Sequence, residues 1–137
     1  MKIDHFGIAV RSISNSLAFY RDALEMEVAG TETIADQGIN VALLPVGEAE
    51  IELLEPISED TPVGRFIAKR GEGLHHICYE VEDLAAKLDK LRSRGVRVLD
   101  GYPRRGAKGK LVAFLHPASA NGVLVELVEK ARTSEGE

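Results

Sequence analysis

The segment IDHFGIAVRSISNSLAFYR at residues 3–21 aligns without a gap on LHHICYEVEDLAAKLDKLR at residues 74–92, at an offset of 71 residues. After a slip of three residues, EIELLE at 50–55 aligns with LVELVE at 124–129. The alignment places a histidine and a glutamate at matching positions of each copy. The chain therefore contains one structural unit twice.

Each copy has the pattern of a strand, a helix and further strands. In the first copy, Ser12 or Ser14 can cap a helix predicted over 14–24. In the second copy, Asp83 is the predicted N-cap of a helix that Gly95 ends. The other predicted strands are VALLPV, EIELLE, VRVL at 96–99, KLVAFLH and GVLVELVE.

These elements predict an α+β fold in which two tandem βαβββ modules form one open, metal-lined barrel-like sheet. Half of a 137-residue chain is marginal as a domain of its own, so the two modules should share one domain, 1–137. We expect module one at 1–60, a connector helix at 61–72 that begins with Thr61-Pro62, module two at 73–130 and a frayed tail at 131–137.

The composition is that of an ordinary globular protein, with 45% apolar and 28% charged residues. A net charge of −5 argues against a broad nucleic-acid-binding surface, and no apolar run is long enough to span a membrane. The single cysteine, Cys78, cannot form an internal disulfide, which fits a reducing compartment. We therefore expect a cytoplasmic protein with neither nucleic acid nor membrane as a partner.

The repeat-related His5, Glu52, His76 and Glu126 form a candidate metal site. The first and last strands of a βαβββ unit lie side by side, so their inward side chains can meet. Two imidazoles and two carboxylates suit Co²⁺, Zn²⁺, Ni²⁺, Mn²⁺ or Mg²⁺. Apolar neighbours surround both glutamates, and a buried carboxylate needs a partner such as a cation.

Other polar residues of the same strands have plainer interpretations. His75 neighbours His76 but points to the opposite face of its strand. Glu50 and Glu55 are the kind of strand glutamates that usually face solvent. Cys78 shares the face of His76 and is best interpreted as a small buried hydrophobe.

The segment GYPRRGAKGK at 101–110 concentrates four cations on an otherwise acidic chain: Arg104, Arg105, Lys108 and Lys110. Most such clusters are solvated loops. The alternative is a local phosphate-binding loop.

Taken together, the chain resembles the vicinal oxygen chelate superfamily and, within it, the methylmalonyl-CoA epimerase family, along nearly its whole length. The order and spacing of several segments carry this resemblance: IDHFGIAV, DQG at 36–38, IELLEP at 51–56, GRFIAKRGEGLHHICYEV at 64–81, PRRGAKGK at 103–110 and FLHPASANGVLVEL at 114–127.

The resemblance implies interconversion of (R)- and (S)-methylmalonyl-CoA, with the family's metal ligands falling on His5, Glu52, His76 and Glu126. It favours Co²⁺ among the possible ions and implies a homodimer. Epimerisation needs a proton removed from one face of the α-carbon and returned on the other. Glu126 is the first candidate base.

The second base is less direct. Some members of the family carry a glutamate at the position of Val41 and a glutamine at that of Glu52. Glu52 is therefore the candidate for the opposite base, and Gln37 or a water molecule is the alternative. In either case, the cations of 101–110 are candidates for holding CoA phosphates, because CoA carries three of them.

Three other functions compete with this interpretation. A glyoxalase-like isomerase or lyase would use the same ligands but bind glutathione, which has no phosphate. A non-catalytic small-molecule-binding protein of this fold would favour an aromatic pocket, whereas this chain has 5% aromatic residues and no Trp. A regulatory subunit with a vestigial site is the third.

Overall fold

The structure is a computed structural model that describes residues 1–131. Of the predicted frayed tail at 131–137, all but Ala131 lies outside the described residues. The chain divides into two compact units, one of His5–His76 and one of Met1–Asp4 with the residues from Ile77 onward. The predicted module limits remain a prediction.

The unit of residues 5–76 contains four strands in the order β2-β3-β4-β1. They are β1 (Lys2–Ala9, here from His5), β2 (Gly30–Ile34), β3 (Ile39–Val46) and β4 (Ala49–Pro56). β1 and β4 pair in parallel, whereas the other neighbours are antiparallel. The first and last strands of the predicted module therefore lie side by side, as the sequence predicted.

One face of these four strands is covered by the helical segment that follows β1. Val10, Ala42, Leu44 and Leu53 are buried there against Ile13, Leu17 and Tyr20. Ser12 caps the helix α1 (Ile13–Leu17) by accepting a hydrogen bond from the Asn15 N–H. The connector helix α2 (Pro62–Arg70) has Thr61 as its N-cap and Gly71 as its C-cap, close to the prediction.

The predicted helix over 14–24 is correct in place but wrong in form. The α-helix ends at Leu17 and continues as a π-helix over Ala18–Ala23. Leu24, which the predicted apolar stripe would bury, is 52% exposed. The wider π turn shifts the helix phase, so the last member of the 3.6-residue stripe leaves the packed face.

The second unit has the same order of elements. Its strands β5 (Gly73–Val81, here from Ile77), β6 (Arg104–Arg105), β7 (Leu111–Leu115) and β8 (Val125–Glu129) lie in the order β5-β8-β7-β6. β5 and β8 pair in parallel. Helix α3 (Leu84–Ser93) has Asp83 as its N-cap and covers one face of these strands. Leu84 and Leu88 of the helix are buried there in one cluster with Ala113 of β7 and Leu127 of β8.

The predicted strand VRVL at 96–99 is wrong as a regular strand. Within 96–99 only Val98 forms a β-bridge, to Leu115 of β7. Regular antiparallel pairing with β7 begins again only at β6. Between Val98 and β6, Gly101 has a φ of 82°, so the backbone turns away from β7. Pro103 in the same interval has no N–H to donate to a neighbouring strand.

Candidate active site

The strands β1 and β5 bring two buried imidazoles together. His5 is 4% exposed and His76 is 7% exposed. Their Nε2 atoms lie 3.0 Å apart, with the rings edge to face. The two repeat-related histidines that the sequence singled out therefore meet through the same ring atom.

The other ring nitrogen of each histidine has its own neighbour. Nδ1 of His5 lies 3.3 Å from Oε2 of Glu52, which is 5% exposed. Nδ1 of His76 is hydrogen-bonded at 2.8 Å to Nδ1 of His75, whose ring packs edge to face on Phe66. Strand alternation correctly separated the two adjacent histidines, but the ring of His75 turns back to His76.

This arrangement fits a divalent cation. With Nδ1 of His5 protonated toward Glu52 and Nδ1 of His76 protonated toward His75, both Nε2 lone pairs face each other, which requires a proton or a cation between them. Two nitrogen ligands about 2.1 Å from one ion and at a right angle to each other lie about 3.0 Å apart. A donor set of two imidazoles and a carboxylate matches borderline and hard ions.

Gly7 makes room for the ring of His76. A Cβ added to Gly7 would lie under 3.0 Å from the Cε1, Nδ1 and Nε2 atoms of that ring. Gly7 is two residues after His5 on β1 and is the register partner of Glu52 on β4. Gly7 was not among the residues predicted from the sequence, although a glycine two positions from a candidate ligand on a strand indicates a close approach.

Apolar side chains surround Glu52. Leu43 is its register partner on β3, and Val41 pairs with Leu54. Because paired residues and residues two apart share a face, all four point the same way. Val41 is fully buried, so the position where some relatives carry a glutamate is occupied by an aliphatic side chain. Gln37, the alternative base, is half-buried in a 3₁₀ helix at Ala35–Gln37.

Glu126 is the second residue of β8 and is 6% exposed. Its register partners are Cys78 on β5 and Phe114 on β7. The face it occupies is opposite to the one that α3 covers and also carries Val112 and Val128. Like Glu52, it is a buried carboxylate on the face of its own unit that lies opposite to the helix.

The basic segment divides between two faces. Arg104 and Arg105 are adjacent on β6, so their side chains point in opposite directions. Arg104 stacks over Tyr102, and its Nη2 donates to the Tyr102 hydroxyl at 3.1 Å. Arg105 donates to the Gly109 carbonyl and, with Lys110 and Lys130, borders a cavity of about 410 Å³.

None of the helices within residues 1–131 is long and apolar enough to cross a bilayer.

Known proteins are similar to this chain over nearly its full length. Residues 4–114 match the family model of the Glyoxalase/Bleomycin resistance protein/Dioxygenase superfamily. An ethylmalonyl-CoA/methylmalonyl-CoA epimerase of Cereibacter sphaeroides is 44% identical over 92% of this chain and 96% of its own length.

Solved structures agree in fold as well as in sequence. A methylmalonyl-CoA epimerase from Mycobacterium tuberculosis is 41% identical and superposes with a TM-score of 0.90, covering 96% of this chain and 89% of that one. A methylmalonyl-CoA epimerase in complex with methylmalonyl-CoA and NH4+ is 43% identical, with a TM-score of 0.90, 95% of this chain and 94% of that one covered. These matches confirm the predicted fold class and place the chain in the methylmalonyl-CoA epimerase family of the glyoxalase/dioxygenase superfamily.

Proposed function

We propose that this protein is a methylmalonyl-CoA epimerase that interconverts the (R) and (S) thioesters by removing and returning the α-proton. The observation that carries the proposal is the meeting of His5 and His76 through Nε2, with the buried Glu52 carboxylate against His5. Support comes from the names of the relatives and from the substrate bound in one of the solved structures.

We propose His5, Glu52, His76 and Glu126 as the residues that would hold a divalent ion. The family resemblance favours Co²⁺, and Zn²⁺, Ni²⁺, Mn²⁺ or Mg²⁺ are compatible with the same donors. A bound divalent cation supplies positive charge that stabilises the negative charge developing on the thioester oxygen. Glu126 is included because it is the repeat partner of Glu52 and is equally buried.

In this proposal Glu52 and His75 orient the imidazole rings of His5 and His76. Glu52 would accept a hydrogen bond from the Nδ1–H of His5, and His75 would accept one from the Nδ1–H of His76. The Nε2 lone pair of each of these two histidines then remains available to a cation. Packing against Phe66 holds the ring of His75 in place. Glu52 would thus support His5 while keeping a carboxylate next to the reacting centre.

Glu126 and Glu52 are the proposed pair of bases. One carboxylate accepts the α-proton from one face of the carbon, and the other, in its protonated form, donates a proton to the opposite face. The net reaction inverts the carbon without consuming a co-reactant. Apolar neighbours such as Val41, Leu43 and Leu54 exclude water, so the stabilising charges act in a low dielectric.

The phosphates of CoA are proposed to bind the cations of 101–110. Arg105 and Lys110 border one cavity, and the exposed Lys108 has a φ of 59° in the turn between them. We propose this role for Arg105, Lys108 and Lys110. Arg104, the fourth candidate from the sequence, lies on the opposite face of β6 from Arg105. The family resemblance also implies a homodimer.

An assay with a panel of substrates tests the proposed function. We expect the purified protein to epimerise methylmalonyl-CoA, as followed by circular dichroism. We expect it not to convert the glutathione hemithioacetal of methylglyoxal above the background rate. Ethylmalonyl-CoA belongs in the panel because a relative's name includes it. Turnover of the hemithioacetal with inert methylmalonyl-CoA would instead establish the glyoxalase-like alternative.

A further inference from the structure

We propose that Arg104, held in place by Tyr102, binds the free carboxylate of the substrate's acyl group and so selects malonyl-type thioesters over CoA thioesters whose acyl group is uncharged. This inference rests on the proposed function and adds a residue that determines its specificity. Arg104 thus has a different role from the other three cations of the basic segment, which are proposed to bind the CoA phosphates.

The strand register puts Arg104 on the face of Glu126. Arg104 pairs with Val112 on β7, and Val112 pairs with Val128 on β8. Val128 and Glu126 are two residues apart on one strand and therefore point the same way. Arg105 pairs with Leu111, which packs with the cluster under α3, so the side chain of Arg105 lies on the other face.

Tyr102 orders the guanidinium group on that face. The Arg104 Cζ lies 4.6 Å from the centre of the Tyr102 ring, and the hydroxyl accepts a hydrogen bond from Nη2. The Tyr102 ring in turn packs edge to face on Phe114, the register partner of Glu126. Arg104 is half-buried, whereas Arg105 is exposed. Such ordering lowers the entropy lost when an anion binds.

The distance suits the acyl carboxylate better than a phosphate. β6 lies two strands from β8, or about 10 Å across the sheet. An arginine side chain can cross most of that span. In the proposed reaction Glu126 contacts the α-carbon, and the free carboxylate is bonded directly to that carbon. The CoA phosphates are separated from it by the whole pantetheine arm.

The chemistry of the two groups also matches. A guanidinium presents a planar fork of donors that complements the two oxygens of a carboxylate. A site built for a polar substrate group rejects analogues that lack it far more strongly than an apolar pocket rejects a missing methyl group.

The test compares binding of methylmalonyl-CoA with that of propionyl-CoA, which has the same CoA portion and no carboxylate. Calorimetric titrations would use the wild type, Arg104→Gln, Arg104→Lys and, as the matched control from the adjacent position, Arg105→Gln. We expect Arg104→Gln to weaken methylmalonyl-CoA binding roughly 10- to 100-fold while leaving propionyl-CoA binding unchanged. Arg104→Lys should lose less affinity for methylmalonyl-CoA than Arg104→Gln, because lysine keeps the positive charge but not the planar pair of donors.

Arg105→Gln should weaken both ligands by the same factor. An equal loss of both ligands in Arg104→Gln would overturn the inference, because the residue would then contact the CoA portion. Unchanged affinity for methylmalonyl-CoA in a folded Arg104→Gln variant would also overturn it. Failure of the proposed function looks different: the wild type would then neither discriminate between the two thioesters nor epimerise methylmalonyl-CoA.

Discussion

At the scale of single residues, the geometry of the site depends on which ring nitrogen of His5 and of His76 faces which neighbour. Both histidines use Nδ1 for a neighbour of the same unit and turn Nε2 toward each other. The repeat in the sequence was enough to identify these two residues, because it matched them across copies. It could not reveal that Glu52 contacts Nδ1 of His5, since that depends on a ring orientation that strand alternation does not determine.

Glu52 and Glu126 are expected to act on opposite faces of the α-carbon. Replacing either with glutamine should lower kcat roughly 10²-fold or more, the usual cost of losing a general acid–base group. Each variant should still exchange the α-proton of one stereoisomer with deuterated water, a different isomer for each variant. NMR of the two pure isomers measures this exchange.

Metal content must accompany this measurement, so that loss of the ion is not mistaken for loss of a base. A Glu52→Gln variant that keeps its metal and its full epimerase rate would show that Glu52 is not the second base. The half-buried Gln37 or a water molecule would then be the group to examine.

His75 is expected to support metal binding through His76, contrary to what strand alternation alone indicated. His75→Ala removes the acceptor at 2.8 Å from the Nδ1 atom of His76. Loss of such a partner lowers metal affinity about 10- to 100-fold. Competition with a chromogenic chelator measures this affinity, and His116→Ala, at a 3₁₀-helix cap, is the control. Equal affinities in His75→Ala and the control would rule out the role.

At the scale of elements, both units anchor the start of their helix in the same way. The Glu55 carboxylate accepts a hydrogen bond from the Ile13 N–H at 2.9 Å, and Glu129 accepts one from the Leu84 N–H at 3.0 Å. The interpretation of Glu55 as a solvent-facing residue was wrong, because its carboxylate binds the start of the helix. The alignment of EIELLE with LVELVE had already paired it with Glu129.

These two glutamates should stabilise the fold without serving the reaction. A carboxylate at a helix N-terminus interacts favourably with the helix dipole, so Glu55→Gln and Glu129→Gln should each lower the free energy of unfolding by about 0.5–1 kcal/mol. Urea denaturation measures the change, with Glu48→Gln in the exposed β3–β4 turn as the control. A loss in the control as large as in the two variants would contradict this account.

Elements with strong local signals were predictable, and those governed by a turn or a helix distortion were not. Thr61-Pro62 and the glycine at 71 define α2 without help from the rest of the chain. The interval after α3 carries a β-like VRVL pattern, but its pairing is interrupted where Gly101 and Pro103 redirect the backbone. Apolar periodicity does not report such an interruption.

At the scale of the whole molecule, the two units repeat one connectivity and place a buried glutamate at the same point of each last strand. This repetition is why the fold class could be predicted from sequence, whereas the family followed from the order and spacing of segments along the chain. The sequence could not show which cations of the basic segment have different roles, because adjacent cations are equivalent in a sequence pattern. The difference arises because Arg104 and Arg105 lie on one strand and therefore point in opposite directions.

The most direct test of the central claim is α-proton exchange of methylmalonyl-CoA in deuterated water, before and after metal removal. We expect the protein stripped by a chelator to be inactive, and stoichiometric Co²⁺ to restore both deuterium incorporation and epimerisation. His5→Ala and His76→Ala should remain inactive after the same addition. Full exchange in protein verified to be free of metal, or undiminished activity in either histidine variant, would contradict the account.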